Sequence, residues 1–386
     1  MSSLFPAILI GGPPHRGKSV FAYILSRLLK NRQVAHYLLR ATPNGEGNWF
    51  YDASFSLAEK LRRKRSWDAS FEQAVEKSLQ RRPLPFLVDV GGKPTLRQQE
   101  IFGHCSHYII LGKDKEEWAE WRAICEGQQL QPLAEIRSVL EADDALLSEH
   151  PLLRLQLGNL DRERDFGLDK LGFPWQKLAE RVATTIGYNE SEMWDYHRTR
   201  LPFDALALNL HDKQSKYDSN SRWWKTEMLP RLLQDVCQES ALAIYGRAPT
   251  WVASALALHT QKPIHCFDAQ YGWLTPPTLQ HSADNGAWQV TKTHQPHLTE
   301  LAFTLAPTHL APKPTLKGPL PSIEPTTTIL LSGKLPIWLY MGLARYYAHH
   351  GHTIAIAHPR LKAGVQINRS AVGKQIPWHS SIAGSA

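Results

Sequence analysis

The sequence predicts an α/β chain in which an N-terminal domain with a parallel sheet precedes two small α/β modules. Three observations carry this expectation. Short apolar runs alternate with segments of helical spacing in the first half, the first of those runs ends in a glycine-rich basic turn, and the second half contains one pattern twice.

A chain of 386 residues exceeds the size at which one core keeps growing, so two or three domains are expected. Residues 1–190, 198–296 and 297–380 are the natural divisions. Apolar residues make up 42%, charged residues 21% and aromatics 10%, a composition that buries substantial cores and excludes disorder as the default. No run approaches the roughly 18 apolar residues of a membrane span, and Leu4–Gly12 lacks the basic flank and length of a signal peptide. A cytoplasmic address without membrane contact is expected. Cys105, Cys125, Cys237 and Cys266 show no metal-type or disulfide spacing and read as buried thiols. Lys plus Arg, 44, exceeds Asp plus Glu, 36, by eight, which tilts expectation towards phosphate-bearing partners. Five of the eighteen histidines precede residue 190 and thirteen follow it, so the two halves are expected to do different work.

Ala7–Gly12 (AILIGG) reads as a strand, and Val20–Leu29 has apolar residues at helical spacing. Between them, Gly12, Pro13, Pro14, His15, Arg16, Gly17, Lys18 and Ser19 form a phosphate-binding loop in its proper strand-to-helix context. Glycines let backbone N–H groups close around phosphate oxygens. Lys18 is placed to reach the β- and γ-phosphates and Ser19 to ligate Mg²⁺, with the helix dipole behind them. The domain is therefore expected to be a P-loop NTPase binding ATP and Mg²⁺. Further strands are predicted at 34–40, 85–90 and 107–111, completing a βαβ pattern. Asp89 ends one of them and is the candidate second carboxylate of the Mg²⁺ shell; capping of the next turn is the structural alternative.

Two other features stay open. Asn44–Trp49 is a turn-rich loop in which Glu46 either meets a substrate or decorates a surface turn. Leu61–Arg65 (LRRKR) reads first as a solvated helix face and second as a phosphate or RNA contact. The loop motif alone leaves a kinase, an ATPase and an ATP-gated switch undistinguished.

In the second half, 242–252 (LAIYGRAPTWV) and 329–339 (ILLSGKLPIWL) share an apolar strand, Gly, a basic residue, Pro, and Trp. Gly246 and Gly333 are 333 − 246 = 87 residues apart. In each copy Pro249 or Pro336 can take the first helical position, a helix carrying Trp251 or Trp338 follows, and His259 or His349 lies near its end. The tryptophans read as core. A strand comes next, Ile264–Asp268 or Thr353–His358, and each copy opens on an apolar β run, Phe203–Leu210 or Leu298–Leu305. The first copy has a predicted helix over Ser221–Cys237, where the second has the Pro-rich stretch Ala306–Pro325. Gly246–Arg247 and Gly333–Lys334 close strands and open helices, where an anion is favoured. His259 and Asp268 are expected to share one edge of the module, as a metal pair or an acid–base pair for a phosphodiester. His349 and His358 repeat the spacing, with His350, His352 and Arg360 nearby.

Ser332–Leu361 (SGKLPIWLYMGLARYYAHHGHTIAIAHPRL) resembles the core of the small CRISPR-associated ring nuclease family known as Csx-three, of type III antiviral systems. The Gly-basic-x-Pro-x-Trp segment, the His-His pair and the Pro-Arg-Leu after the next strand match in order; Ala243–Gly272 is a more diverged copy. The resemblance implies two tandem ring-nuclease-like modules, ferredoxin-like or related, fused to an AAA-like or kinase-like P-loop domain. It implies cleavage of cyclic tetra-adenylate, helped by Mn²⁺, with the ring bound between subunits of a homo-oligomer. The family's functional positions are a helix-end His, the Asp of an Asp-x-Arg segment and a His after the next strand. The first copy keeps His259 and Asp268, with Gln270 for the Arg and His281 near the last His. The second keeps His349 and Arg360, with His358 for the Asp and Arg369 near the last His. Catalytic roles then fall to His259, Asp268, His349 and Arg360 at one composite site, ring binding to Gly246, Arg247, Gly333 and Lys334, and Mn²⁺ to His259 and Asp268. The alternatives are a cyclic-oligoadenylate sensor that regulates the ATPase, or a P-loop phosphotransferase.

Overall fold

A computed structural model describes residues 5–41, 69–160, 167–201, 204–221, 223–283, 286–295, 298–305, 310–324 and 328–378. The Asn44–Trp49 loop with Glu46 and the Leu61–Arg65 run lie outside the described residues. The chain divides into two compact units, Met1–Asp195 with Ala269–Gly272, and Tyr196–Asp268 with Trp273–Ala386.

The first unit runs β1 (Ala7–Gly11), α1 (Lys18–Asn31), β2 (Tyr37–Ala41), α2 (Ala69–Gln80), β3 (Phe86–Val90), α3 (Leu96–Phe102), β4 (His107–Gly112), α4 (Lys115–Gly127), β5 (Gln131–Val139), β6 (Ala145–Ser148), β7 (Leu153–Gly158) and α5 (Phe173–Ile186). A further helix, α6 (Glu190–Arg198), follows. The sheet order is β2-β3-β1-β4-β5-β7-β6. All neighbours are parallel except β6 and β7. β1 and β3 are buried at every position, which is why they read as continuous apolar runs without alternation. No strand stands between them, so the carboxyl end of β3 lies directly beside the loop that leaves β1.

α1 and α5 contribute Phe21 and Trp175 to one core, their rings 5.6 Å apart. On β5, Glu135 is fully buried between two guanidiniums: Arg154 donates to it at 2.7 Å and Arg122 at 3.1 Å through Nε. Each arginine is more than one third exposed and reaches water if the carboxylate goes, so Glu135→Ala is expected to cost about 2–4 kcal/mol. Urea unfolding checks this; an unchanged midpoint would show that the triad contributes no net stability.

The second unit continues with β8 (Leu206–Asn209), α7 (Leu210–Tyr217), α8 (Met228–Gln234), β9 (Leu242–Tyr245), α9 (Thr250–His259), β10 (Ile264–Asp268), β11 (Gly272–Leu274), β12 (Thr278–His281), β13 (Trp288–Gln295), β14 (Leu298–Leu305), β15 (Thr315–Gly318), β16 (Thr328–Gly333), α10 (Ile337–His349), β17 (Thr353–His358), β18 (Ala363–Gln366) and β19 (Gln375–Pro377). The internal repeat is visible in the pairing. β8, β9 and β10 are parallel neighbours, and so are β14, β16 and β17. Each copy is therefore a parallel βαβ unit, the related arrangement rather than a ferredoxin-like antiparallel sheet.

Both copies feed one core, with Trp251 and Leu256 from α9 beside Trp338 and Leu343 from α10. The two helices pack on each other, and Arg345 of α10 donates to the carbonyl of Ala257 at 2.9 Å. Three features depart from expectation. The helix expected over 221–237 is confined to Met228–Gln234, because Pro230 has no N–H and is tolerated only in a first turn. The Pro-rich stretch of the second copy yields β15, which pairs in parallel with β12. Pro249 and Pro336 cap their helices one position earlier than expected, with nearly identical angles, φ −57° and ψ 149° against φ −60° and ψ 149°.

Candidate functional site

The first candidate site is the turn between β1 and α1. Gly12, His15 and Gly17 take positive φ, 143°, 61° and 68°, and bend the chain so that α1 begins at Lys18 with its N–H groups facing the turn. Glycine is required at Gly12: a Cβ there would lie 2.3 Å from the Leu111 carbonyl oxygen. Lys18 is buried and donates to the Pro13 carbonyl at 2.6 Å. Burial pushes its ammonium down to about 8, with Asp89 opposing the shift and Arg16 adding to it. Arg16 is held by Glu117 of α4 through two hydrogen bonds of 2.6 and 2.9 Å. Gly92, after β3, approaches Pro14 so closely that a Cβ would meet the Pro14 nitrogen at 2.4 Å.

Asp89 stands at the carboxyl end of β3, almost fully buried, and accepts from Ser19 Oγ at 2.7 Å. The hydroxyl and carboxylate expected to share a magnesium shell are thus in contact. Among the described residues, Asp89 Oδ1 is buried and accepts no hydrogen bond. A buried carboxylate oxygen with spare lone pairs beside a serine hydroxyl is an oxygen donor set suited to Mg²⁺. One residue of this site was missed by sequence reasoning. Arg40 of β2 donates to Ser19 Oγ at 3.1 Å and lies 3.5 Å from Asp89 Oδ2 through Nε. Only strand pairing brings them together, since Arg40 and Asp89 are register partners.

In the second unit the carboxyl edges of the two repeat sheets carry the turn that the two copies share. Gly246 and Gly333 have φ of 91° and 120°, so both need glycine for conformation alone. At Gly333 a Cβ would also lie 2.0 Å from the Phe303 carbonyl oxygen, whereas at Gly246 the nearest atom, Asn209 Oδ1, is at 3.1 Å. Tyr340 fixes the second turn by donating to the Gly333 carbonyl at 2.7 Å. Gly333→Ala is therefore expected to cost about 2–4 kcal/mol and Gly246→Ala about half of that. Thermal melting of both variants checks the order, and equal costs would contradict it. Arg247 and Lys334 follow the glycines and are exposed.

Asp268 ends β10, and His358 ends β17 at the equivalent place. The His358 ring is pushed towards its neutral form by burial, with Arg360 adding to the shift. Arg360 is exposed, with its guanidinium 4.6 Å from the ring centre of Trp223. His259 and His349 sit elsewhere. Each ends a helix that runs back along its sheet, so each lies where the next strand begins. His259 Nε2 donates to the Val236 carbonyl at 2.7 Å, since a carbonyl only accepts, and Nδ1 is the ring nitrogen left for other contacts.

This corrects the expected composite site. His259 and Asp268 do not share an edge: β10 separates them by four residue steps, about 13 Å at the usual strand rise. His349 and Arg360 are divided by β17 in the same way. A metal ion needs ligands within about 2.2 Å, so His259 and Asp268 do not fit Mn²⁺ as a pair. Among the described residues no group of three or more His, Cys, Asp and Glu side chains is placed to hold a metal ion. The positions nearest the expected last histidine are structural. His281 Nδ1 accepts from the Leu320 N–H at 3.1 Å, and Arg369 donates to the Gly351 carbonyl. Gln270 belongs to the segment that goes with the first unit. Cys105, Cys125 and Cys266 are buried and Cys237 is exposed. No described helix is long and apolar enough to cross a membrane.

Residues 300–376 match the model of a family described as CRISPR-associated protein (Cas_csx3). The match spans the second copy from β14 to β19 and includes Gly333, Lys334, His349, His358 and Arg360. Among solved structures the chain is similar to a protein described as a plasmid partition protein from Borrelia burgdorferi B31, crystallised with AMPPNP. The identity is 12% and the TM-score 0.30, over 47% of this chain and 98% of that one. At that similarity it adds nothing to the loop's own geometry. A search of curated proteins finds no match.

Proposed function

We propose that the chain binds ATP with Mg²⁺ at residues 12–19 and binds and cleaves cyclic tetra-adenylate in its C-terminal half, with several chains assembling around the ring. The observation that carries the reading is the same Gly-basic-x-Pro turn at two strand ends, with matching backbone, in a unit whose second copy matches the CRISPR-associated family model. A positive-φ glycine followed by a basic side chain at a helix start favours phosphodiester oxygens. In the N-terminal unit Lys18 would hold the terminal phosphates, and Ser19 with Asp89 would hold Mg²⁺, which neutralises phosphate charge when bound.

The ring chemistry needs a base and charge stabilisation. His259 Nδ1 takes the proton of a ribose 2′-OH as its oxygen forms a bond to the adjacent phosphorus. The P–O5′ bond then breaks, leaving a 2′,3′-cyclic phosphate, and O5′ takes its proton from water. Arg360 or Arg247 stabilises the phosphoryl oxygens. Since His259 and Asp268 stand at opposite edges, they serve one phosphate only from different chains. The second copy has His358, a ring without a carboxylate's charge, where the first has Asp268, and this favours a binding role for it.

The test is incubation of the full chain with labelled cyclic tetra-adenylate, with and without ATP and Mn²⁺, resolving bound, intact and linear species. Linear products establish the nuclease. Tight binding without conversion leaves a messenger sensor, and absence of binding removes the ring reading altogether.

A further inference from the structure

Beside the phosphate loop lies a cation that the loop motif does not include. Arg40 sits at the carboxyl end of β2, directly across from Asp89 on β3. Its side chain is 7% exposed and that of Asp89 2%. The guanidinium donates to Ser19 Oγ at 3.1 Å and stands 3.5 Å from Asp89 Oδ2. Ser19 in turn donates to the same Asp89 oxygen at 2.7 Å. The three side chains close a small polar triangle, and its two oxygen-bearing members are those that would serve a divalent cation.

We infer that Arg40 is a built-in competitor for the magnesium corner of the phosphate site, holding Ser19 and Asp89 until a metal-bound nucleotide displaces it. This rests on the phosphate-site reading above. The competition is electrostatic. A guanidinium in contact with Ser19 Oγ and a divalent ion on that same oxygen are two cations a few ångströms apart in a buried pocket, where screening by water is weak. They do not occupy it together. The guanidinium also brings part of the positive charge that a metal would otherwise bring, since Asp89 is buried and an uncompensated buried carboxylate is costly. Arg40 thus keeps the corner stable without metal and raises the Mg²⁺ level at which nucleotide is taken up.

Arginine suits this role because its planar fork meets two oxygens at once. Lysine keeps the charge but has a single point of contact, and glutamine keeps length and a donor without charge. The order of competition is therefore arginine, then lysine, then glutamine.

The experiment is a Mg²⁺ titration of ATP binding by the full chain, for wild type, Arg40→Lys and Arg40→Gln, with thermal unfolding in Mg²⁺ alone as a second readout. Half-saturating Mg²⁺ is expected to fall in that order, by roughly tenfold from wild type to Arg40→Gln. Mg²⁺ without nucleotide is expected to raise the melting temperature of Arg40→Gln and not that of wild type. If Arg40→Gln does not fold, the Arg40→Lys shift carries the test. Equal Mg²⁺ midpoints in proteins that all bind ATP would overturn the inference and leave the phosphate site standing. Failure of wild type to bind ATP at any Mg²⁺ level would overturn both.

Discussion

Lys18→Ala is expected to lose ATP binding by about 100-fold, because a charge-assisted contact to phosphate contributes up to about 3 kcal/mol. The same substitution should leave the fold intact. Lys18 is a buried ammonium whose charge is held against the preference of its surroundings, so its removal relieves a desolvation cost that offsets the lost contact to the Pro13 carbonyl and the lost attraction to Asp89. Titration of ATP into wild type and variant, with a thermal melt of each, checks both halves. Wild-type affinity in Lys18→Ala would place the nucleotide elsewhere, and a collapsed melt would show Lys18 to be structural.

The second large effect concerns the ring. His259→Ala and Asp268→Ala are each expected to lower cleavage by 100-fold or more, within the roughly 10²–10⁴-fold range for loss of acid–base groups. Mixed in equal amounts, the two inactive variants should recover about one quarter of wild-type activity, since a site between chains draws an intact edge from each variant at random. No folding interpretation predicts this, as neither variant regains its own residue. Cleavage assays of each variant and of the mixture decide it. A mixture as inactive as its parts would show that the two residues do not meet across chains.

Much of the architecture was legible in the chain. The phosphate loop, the strand before it and the helix after it are contiguous, and their demands are local: positive φ at Gly12 and Gly17, a basic side chain next to a hydroxyl, and apolar runs on either side. The repeat was legible for the same reason, because the turns at Gly246 and Gly333 fix residue types within a few positions. The outer strands β5 to β7 are not legible in the same way. Gln131–Val139 mixes exposed and buried positions without a clean period, and its assignment rests on pairing with β4 and β7.

The candidate sites show the same divide more sharply. By itself the sequence determined which side chains stand at the candidate phosphate site, since Lys18, Ser19 and Asp89 need little more than the strand ends that carry them. Tertiary structure decided what meets what. A separation of nine positions from His259 to Asp268 suggested proximity, yet that stretch takes in a whole strand, and a strand carries the chain across the sheet rather than back to where it began. Arg40 and Asp89, far apart along the chain, became neighbours because β2 and β3 pair in that register, and both repeat copies came to share one core through the packing of α9 on α10. Local motifs are written in consecutive dihedral and side-chain requirements, whereas register and helix packing are settled by burial summed over the whole unit.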